Sequence, residues 1–100
     1  MKLTIQSIHF DAADHLKTYI HKKADKLDTY FDRITDGEVY LKLQNEVKGA
    51  NKLVELKVRV PGETLVASEK GSKFEEAMDL VTEKLRSQLM KYKSKLQARA

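Results

Sequence analysis

Val54-Glu55-Leu56-Lys57-Val58-Arg59-Val60-Pro61-Gly62 is the stretch that decides the fold. Apolar and charged residues alternate along it without a break, the period of a strand buried on one face and wet on the other. Pro61-Gly62 then stops it with tight-turn chemistry, and a further strand is expected over about Thr64–Glu69. Upstream the same alternation recurs: Val39, Leu41 and Leu43 share one face, and Tyr40, Lys42 and Gln44 the other. The polar, glycine-containing segment Asn45–Lys52 between the two suits a loose hairpin loop, and Ile34-Thr35-Asp36-Gly37 reads as a turn. Antiparallel pairing of these three strands is the simplest arrangement.

Working outward, Lys2–His9 contains Leu3, Thr4, Ile5 and Ile8 and reads as a first strand. Asp11 is placed to cap a helix over about Ala12–Phe31, whose Leu16, Tyr19, Ile20, Leu27, Tyr30 and Phe31 recur at three- and four-residue steps. At the other end, Ser72-Lys73-Phe74-Glu75 has the pattern of a capping box. It opens a long helix with Phe74, Met78, Val81, Leu85, Leu89, Tyr92 and Leu96 on one stripe. The order is βαβββα, an α+β fold with a four-stranded sheet and two helices on one of its faces. Residues 1–100 are expected to form a single domain, since ~100–200 residues is the usual size.

Composition removes several classes of function. The absence of cysteine excludes disulfides and thiolate zinc sites. His15 and His21 are six residues apart, about 600° of helical rotation, so they cannot share a ligand as an i, i+4 pair would. No nucleophile elbow and no glycine-rich phosphate loop appears. An enzyme, a metal, a cofactor and a small-molecule substrate are therefore not expected. No apolar run approaches the ~20 residues of a membrane span, and Met-Lys-Leu-Thr-Ile-Gln is no signal peptide. The chain is expected to begin here and to remain in the cytoplasm.

Charge points elsewhere. The formal net charge is +4 and the pI about 9.3. Lys84, Arg86, Lys91, Lys93, Lys95 and Arg99 fall in the last sixth of the chain, where there is no acid, whereas the preceding residues carry 13 basic and 15 acidic groups. At 100° per residue, Lys73, Lys84, Lys91 and Lys95 line one shoulder of the last helix's apolar stripe, at about 260° to 300° from Phe74. Arg86 and Lys93 take the other shoulder. In the first helix Lys22 and Lys26 share a flank, while Lys23 lies within the apolar stripe. There it either snorkels at the edge of the core or faces a ligand between the helices. Charged flanks solvate any amphipathic helix, but a solvated face normally mixes signs. This one does not, and Gln88 and Tyr92 lie among its cations with hydrogen-bonding capacity for sugar or phosphate. The pattern suits contact with a polyanion's backbone rather than reading of bases.

Tyr30-Phe31-Asp32-Arg33-Ile34, following Lys23, Lys26 and Leu27, resembles the hibernation-promoting factor and ribosome-associated inhibitor family. So do Ala67-Ser68 ahead of a glycine and a helix, and the run Ala77-Met78-Asp79 through Lys84-Leu85, Gln88-Leu89, Lys91, Lys93 and Lys95-Leu96. The resemblance covers essentially the whole chain. It implies a fold like that of double-stranded-RNA-binding domains. It further implies binding to ribosomal RNA and proteins in the small-subunit channel of messenger and transfer RNA, with translation blocked. By matching positions, the RNA-facing residues are Lys23, Lys26, Arg33, Lys84, Arg86, Lys91, Lys93 and Lys95; the helical wheel adds Lys22 and Lys73. The length resembles the short type, which favours ribosome dimers together with a second hibernation factor. Two alternatives stand beside this. A general duplex-RNA binder would want lysines at the start of the last helix, where Glu75 and Glu76 intervene. A protein-interaction module modulating transcription would use the open sheet face or an apolar edge.

Overall fold

The computed structural model describes residues 1–44 and 49–98. Four strands, β1 (Lys2–Ile8), β2 (Asp36–Leu43), β3 (Lys52–Val60) and β4 (Glu63–Gly71), form one sheet in the order β1-β2-β3-β4. The β2–β3 and β3–β4 pairs are antiparallel, as the alternation and the Pro61-Gly62 turn require, and Gly62 supplies the positive φ of 81° for that turn. β1 lies parallel to β2, which needs a crossover, and helix α1 (Asp14–Asp25) provides it. Helix α2 (Phe74–Ala98) lies over β3 and β4, and α1 packs beside it on the same face. The architecture is thus the α+β, βαβββα layering expected from sequence.

Strand alternation builds the core. Val39 and Leu41 of β2, Val54, Leu56, Val58 and Val60 of β3, and Leu65 and Ala67 of β4 are buried on one sheet face. Against them α1 sets Leu16, Ile20 and Ala24, and α2 sets Phe74, Ala77, Met78, Val81, Leu85, Leu89 and Tyr92. Fully burying one such aliphatic side chain is worth about 1.5–3 kcal/mol. Ring contacts lock the helix ends, with Phe10 stacked on Phe74 and Phe31 edge-on to Tyr92, both at 5.3 Å between centroids.

Five local expectations are corrected. Asp11 does not cap α1: His9 turns the chain at φ 67°, Ala12 is buried, and Ala13, extended, becomes the cap residue. Asp14 is then the acid of the first turn, favourable beside the helix N-terminus. The α-helix does not run to Phe31 either. It tightens after Asp25 into a 3-10 turn, Lys26–Thr29, closed by Thr29 Oγ1 donating to the Lys26 carbonyl at 2.6 Å. A 3-10 turn keeps apolar residues at three- and four-residue steps, so periodicity alone does not reveal it. Ser72 forms no capping box with Glu75; its hydroxyl reaches the Glu76 carboxylate at 3.0 Å. Finally, Asp36 and Gly37 belong to β2 rather than to a turn. A Cβ at Gly37 would lie 2.9 Å from Met1 Sδ and 3.1 Å from Leu3 Cδ1, so a larger residue there would push those side chains aside. Lys52 likewise opens β3 instead of ending the loop, whose neck is closed by Gln44 N–H donating to the Asn51 carbonyl at 2.8 Å. Residues 45–48 of that expected loop, and Arg99 of the basic tail, lie outside the described residues.

Candidate nucleic-acid interface

Burying the apolar stripe of α2 fixes where its cations go. Residues one step to either side of the stripe are forced onto the two rims of the helix. On the rim above β4, the outer strand, stand Lys84, Lys91 and Lys95, all exposed. Lys84 Nζ sits 3.0 Å from Glu69 Oε2 of β4. Lys91 and Lys95 line a shallow cleft of about 270 Å³ with Glu63, Leu65, Gln88 and Tyr92. Lys73 is exposed just ahead of the helix, with Glu75 and Glu76 following it.

The opposite rim faces α1 and the turn after it. Arg86 places its guanidinium 5.2 Å from the Tyr30 ring centroid and 3.8 Å from Glu83. Lys93 Nζ lies 3.5 Å from the Tyr30 carbonyl. Arg33 lies over the Phe31 ring at 5.2 Å. Lys22 and Lys26 are exposed on α1 and its 3-10 extension. Lys23 behaves differently from its neighbours. Its Nζ is 3.2 Å from Asp79 Oδ1, which also accepts the Tyr19 hydroxyl at 2.5 Å, so three side chains bridge α1 to α2. That hydrogen bond, with burial second, pushes the Tyr19 pKa up to about 12. Lys23 is thus half-buried, with its ammonium group between the two helices. That Asp79, Glu69 and Tyr30 stand beside Lys23, Lys84 and Arg86 is not visible in the sequence, because only the tertiary packing brings them together.

The ten candidate cations therefore divide by company. Lys23, Lys84 and Arg86 have a carboxylate partner, whereas none of the described residues pairs a carboxylate with Lys22, Lys26, Arg33, Lys73, Lys91, Lys93 or Lys95. Gln88 and Tyr92, expected among the RNA-facing groups, are already committed. Gln88 Nε2 donates to the Val66 carbonyl at 2.9 Å, covering the β4 edge, and the buried Tyr92 donates its hydroxyl to the Pro61 carbonyl.

The open sheet face is built on the opposite plan. Cross-strand register sets Asp36 against Arg59 and Glu38 against Lys57. Arg59 spans Asp36 and Glu38 at 2.5 and 2.8 Å, and Tyr40 donates its hydroxyl to the other Glu38 oxygen. The Tyr40 hydroxyl and then Arg59 hold the Glu38 carboxyl below the usual carboxylate range. Lys57 lies 5.9 Å from the Tyr40 ring centroid. On this face Arg59 is thus neutralised by two carboxylates.

Three comparisons bear on this geometry. The sequence model of the family described as Sigma 54 modulation protein / S30EA ribosomal protein matches residues 3–97. A ribosome hibernation promoting factor of Azotobacter vinelandii is 32% identical over 95 residues, covering 95% of this chain and 85% of that protein. Among solved structures, a ribosomal subunit interface protein from Coxiella burnetii superposes with a TM-score of 0.84 at 24% identity, over 94% of this chain and 99% of that one. The N-terminal domain of Thermus thermophilus Protein Y gives 0.80 at 22% identity, over 92% and 99%. At these identities the two structures establish the shared fold.

Proposed function

The chain belongs to the Sigma 54 modulation protein / S30EA ribosomal protein family, and on that premise we propose that it is a ribosome hibernation factor acting by occlusion. Its helical layer binds ribosomal RNA of the small subunit in the channel otherwise held by messenger and transfer RNA, and translation stops without any chemical turnover. The observation that carries this reading is the set of unpaired cations on the two rims of α2 and the flank of α1, presented by rigid helices packed on the sheet. Each cation set on a phosphate releases condensed counterions, so many modest contacts sum to a tight, salt-sensitive complex. Specificity then comes from the shape of the RNA surface, as in structured-RNA recognition generally. Lys84 can join, because an exposed ion pair is worth only about 0–1 kcal/mol and yields readily to a phosphate.

Sedimentation with ribosomes and with separated subunits, at low and moderate salt, tests this. Salt-sensitive migration with the small subunit is expected, lost once messenger and transfer RNA fill the channel. Accumulation of dimeric ribosomes, alone or with a second hibernation factor, is expected in the same gradients. Equal binding to generic duplex RNA and to the subunit would overturn the channel assignment.

A further inference from the structure

Between the turn that follows α1 and the last turns of α2 lies an open cleft of about 330 Å³, lined by Tyr30, Phe31, Asp32, Arg33, Lys93 and Leu96 among others. Its size is at the lower end of the ~300–1,000 Å³ typical of small-ligand sites. The Phe31 ring beneath it is buried, 5% exposed, and held edge-on by Tyr92 at an interplanar angle of 89°. Arg33 lies over that immobilised ring. Arg33 is itself exposed and lines the cleft, where a ligand can meet it. Arg86 treats Tyr30 in the same way, so the rim here carries two ring-backed guanidiniums where the β4 rim carries only flexible lysines. Lys93 reaches across from α2 without a carboxylate partner, and exposed Asp32 offers an acceptor without an ion-pair partner among the described residues.

We propose that this cleft takes a single unpaired nucleotide, its base stacked on the Arg33 guanidinium and its phosphate on Lys93. Bases stack on guanidinium planes as they do on aromatic rings, but a base inside a duplex has no free face to offer. The proposal rests on the reading of the helical layer as an RNA-binding surface and refines it. The β4 rim meets phosphates of any RNA, whereas the cleft requires a splayed-out nucleotide. That nucleotide is either part of a ribosomal RNA loop or a free mononucleotide.

Amide shifts of the whole isotope-labelled chain, titrated with adenosine or uridine monophosphate, a four-nucleotide single strand and a blunt RNA duplex, test it. Monophosphate and single strand are expected to move the amides of residues 29–33, and the duplex to leave them in place. Arg33→Lys keeps the charge but loses the plane, so it should weaken single-strand binding by about tenfold, within the range for one stacked base, and weaken duplex binding less. Unmoved amides at 29–33, or an Arg33→Lys variant that binds the single strand as well as the parent, would overturn the proposal. Sedimentation of the same variant with ribosomes separates the two sources. Weakened ribosome binding assigns the nucleotide to RNA, and undiminished ribosome binding assigns it to a free mononucleotide. If the parent chain itself fails to sediment with ribosomes, the hibernation reading falls, whatever the titration shows for the cleft.

Discussion

The open sheet face and the helical layer both carry cations, and they treat them in opposite ways. On the sheet, register sets Asp36 opposite Arg59 and Glu38 opposite Lys57, so Arg59 ends between Asp36 and Glu38. Such cross-strand pairs stabilise a sheet locally. On α2 the acids Glu75, Glu76, Asp79 and Glu83 fill the first half and the cations Lys84, Arg86, Lys91, Lys93 and Lys95 the second. That segregation suits the helix dipole, at about 0.3–1 kcal/mol per well-placed charge, and it deprives the distal cations of i, i+4 partners. The same sequence device that steadies the helix leaves positive charge free for an outside polyanion. What separates the two faces is Arg59, held between two carboxylates on the sheet, against the run of helix cations without a carboxylate partner among the described residues.

The comparison is broken most directly by reversing charge on each face in turn. Lys84→Glu, Lys91→Glu and Lys95→Glu together should abolish co-sedimentation with the small subunit while far-UV circular dichroism stays native. The matched pair Lys42→Glu and Lys57→Glu on the sheet should leave co-sedimentation intact. Loss in the sheet pair, or retention in the helix triple, would show that the interface has been placed on the wrong face.

A graded version uses salt. If Lys91 and Lys95 each meet a phosphate, replacing both by alanine should lower the slope of log affinity against log salt by about 1.5, at ~0.7–0.9 per contact. An unchanged slope with weaker binding would mean that these side chains shape the surface without touching phosphate.

How much of this was legible in the sequence depends on range. Alternation in Val54–Val60 and the stripe from Phe74 to Leu96 gave the layers and the core, because burial on one face leaves a period of two or of 3.6. The rims of α2 followed from the same wheel. What escaped were facts decided across the fold. Neither the 3-10 turn at Lys26–Thr29 nor the membership of Gly37 in β2 changes the local apolar pattern. The pairing of Lys23 with Asp79 joins residues of two helices, and no spacing rule connects them. Gln88 and Tyr92 looked like recognition groups because their partners, the carbonyls of Val66 and Pro61, lie on or beside another strand.

Tyr92 tests that correction. Tyr92→Phe removes one buried hydrogen bond to the Pro61 carbonyl and should cost about 1 kcal/mol of stability in urea unfolding, with ribosome affinity unchanged. A loss of affinity with no loss of stability would return the hydroxyl to the RNA-binding face.

The smallest effect concerns the bridge between the two helices. Tyr19 donates to Asp79, and its folded-state pKa of about 12 lies above its ordinary value of 10.0. A group raised in this way stabilises the fold fully below its unfolded pKa and loses that contribution as pH rises through the folded one. The advantage of the parent chain over Tyr19→Phe should therefore be constant at neutral pH and shrink between pH 10.0 and about 12. The two proteins differ in that hydroxyl alone, so the difference isolates the tyrosine. Lys23 shares the Asp79 oxygen, and Asp79→Asn should diminish the pH-dependent difference, leaving the part due to burial and Glu75. A gap between parent and Tyr19→Phe that stays flat to pH 12 would mean that the hydroxyl does not hold α1 to α2, and that the alignment of Lys22 and Lys26 with the α2 rim rests on apolar packing and the Lys23–Asp79 pair.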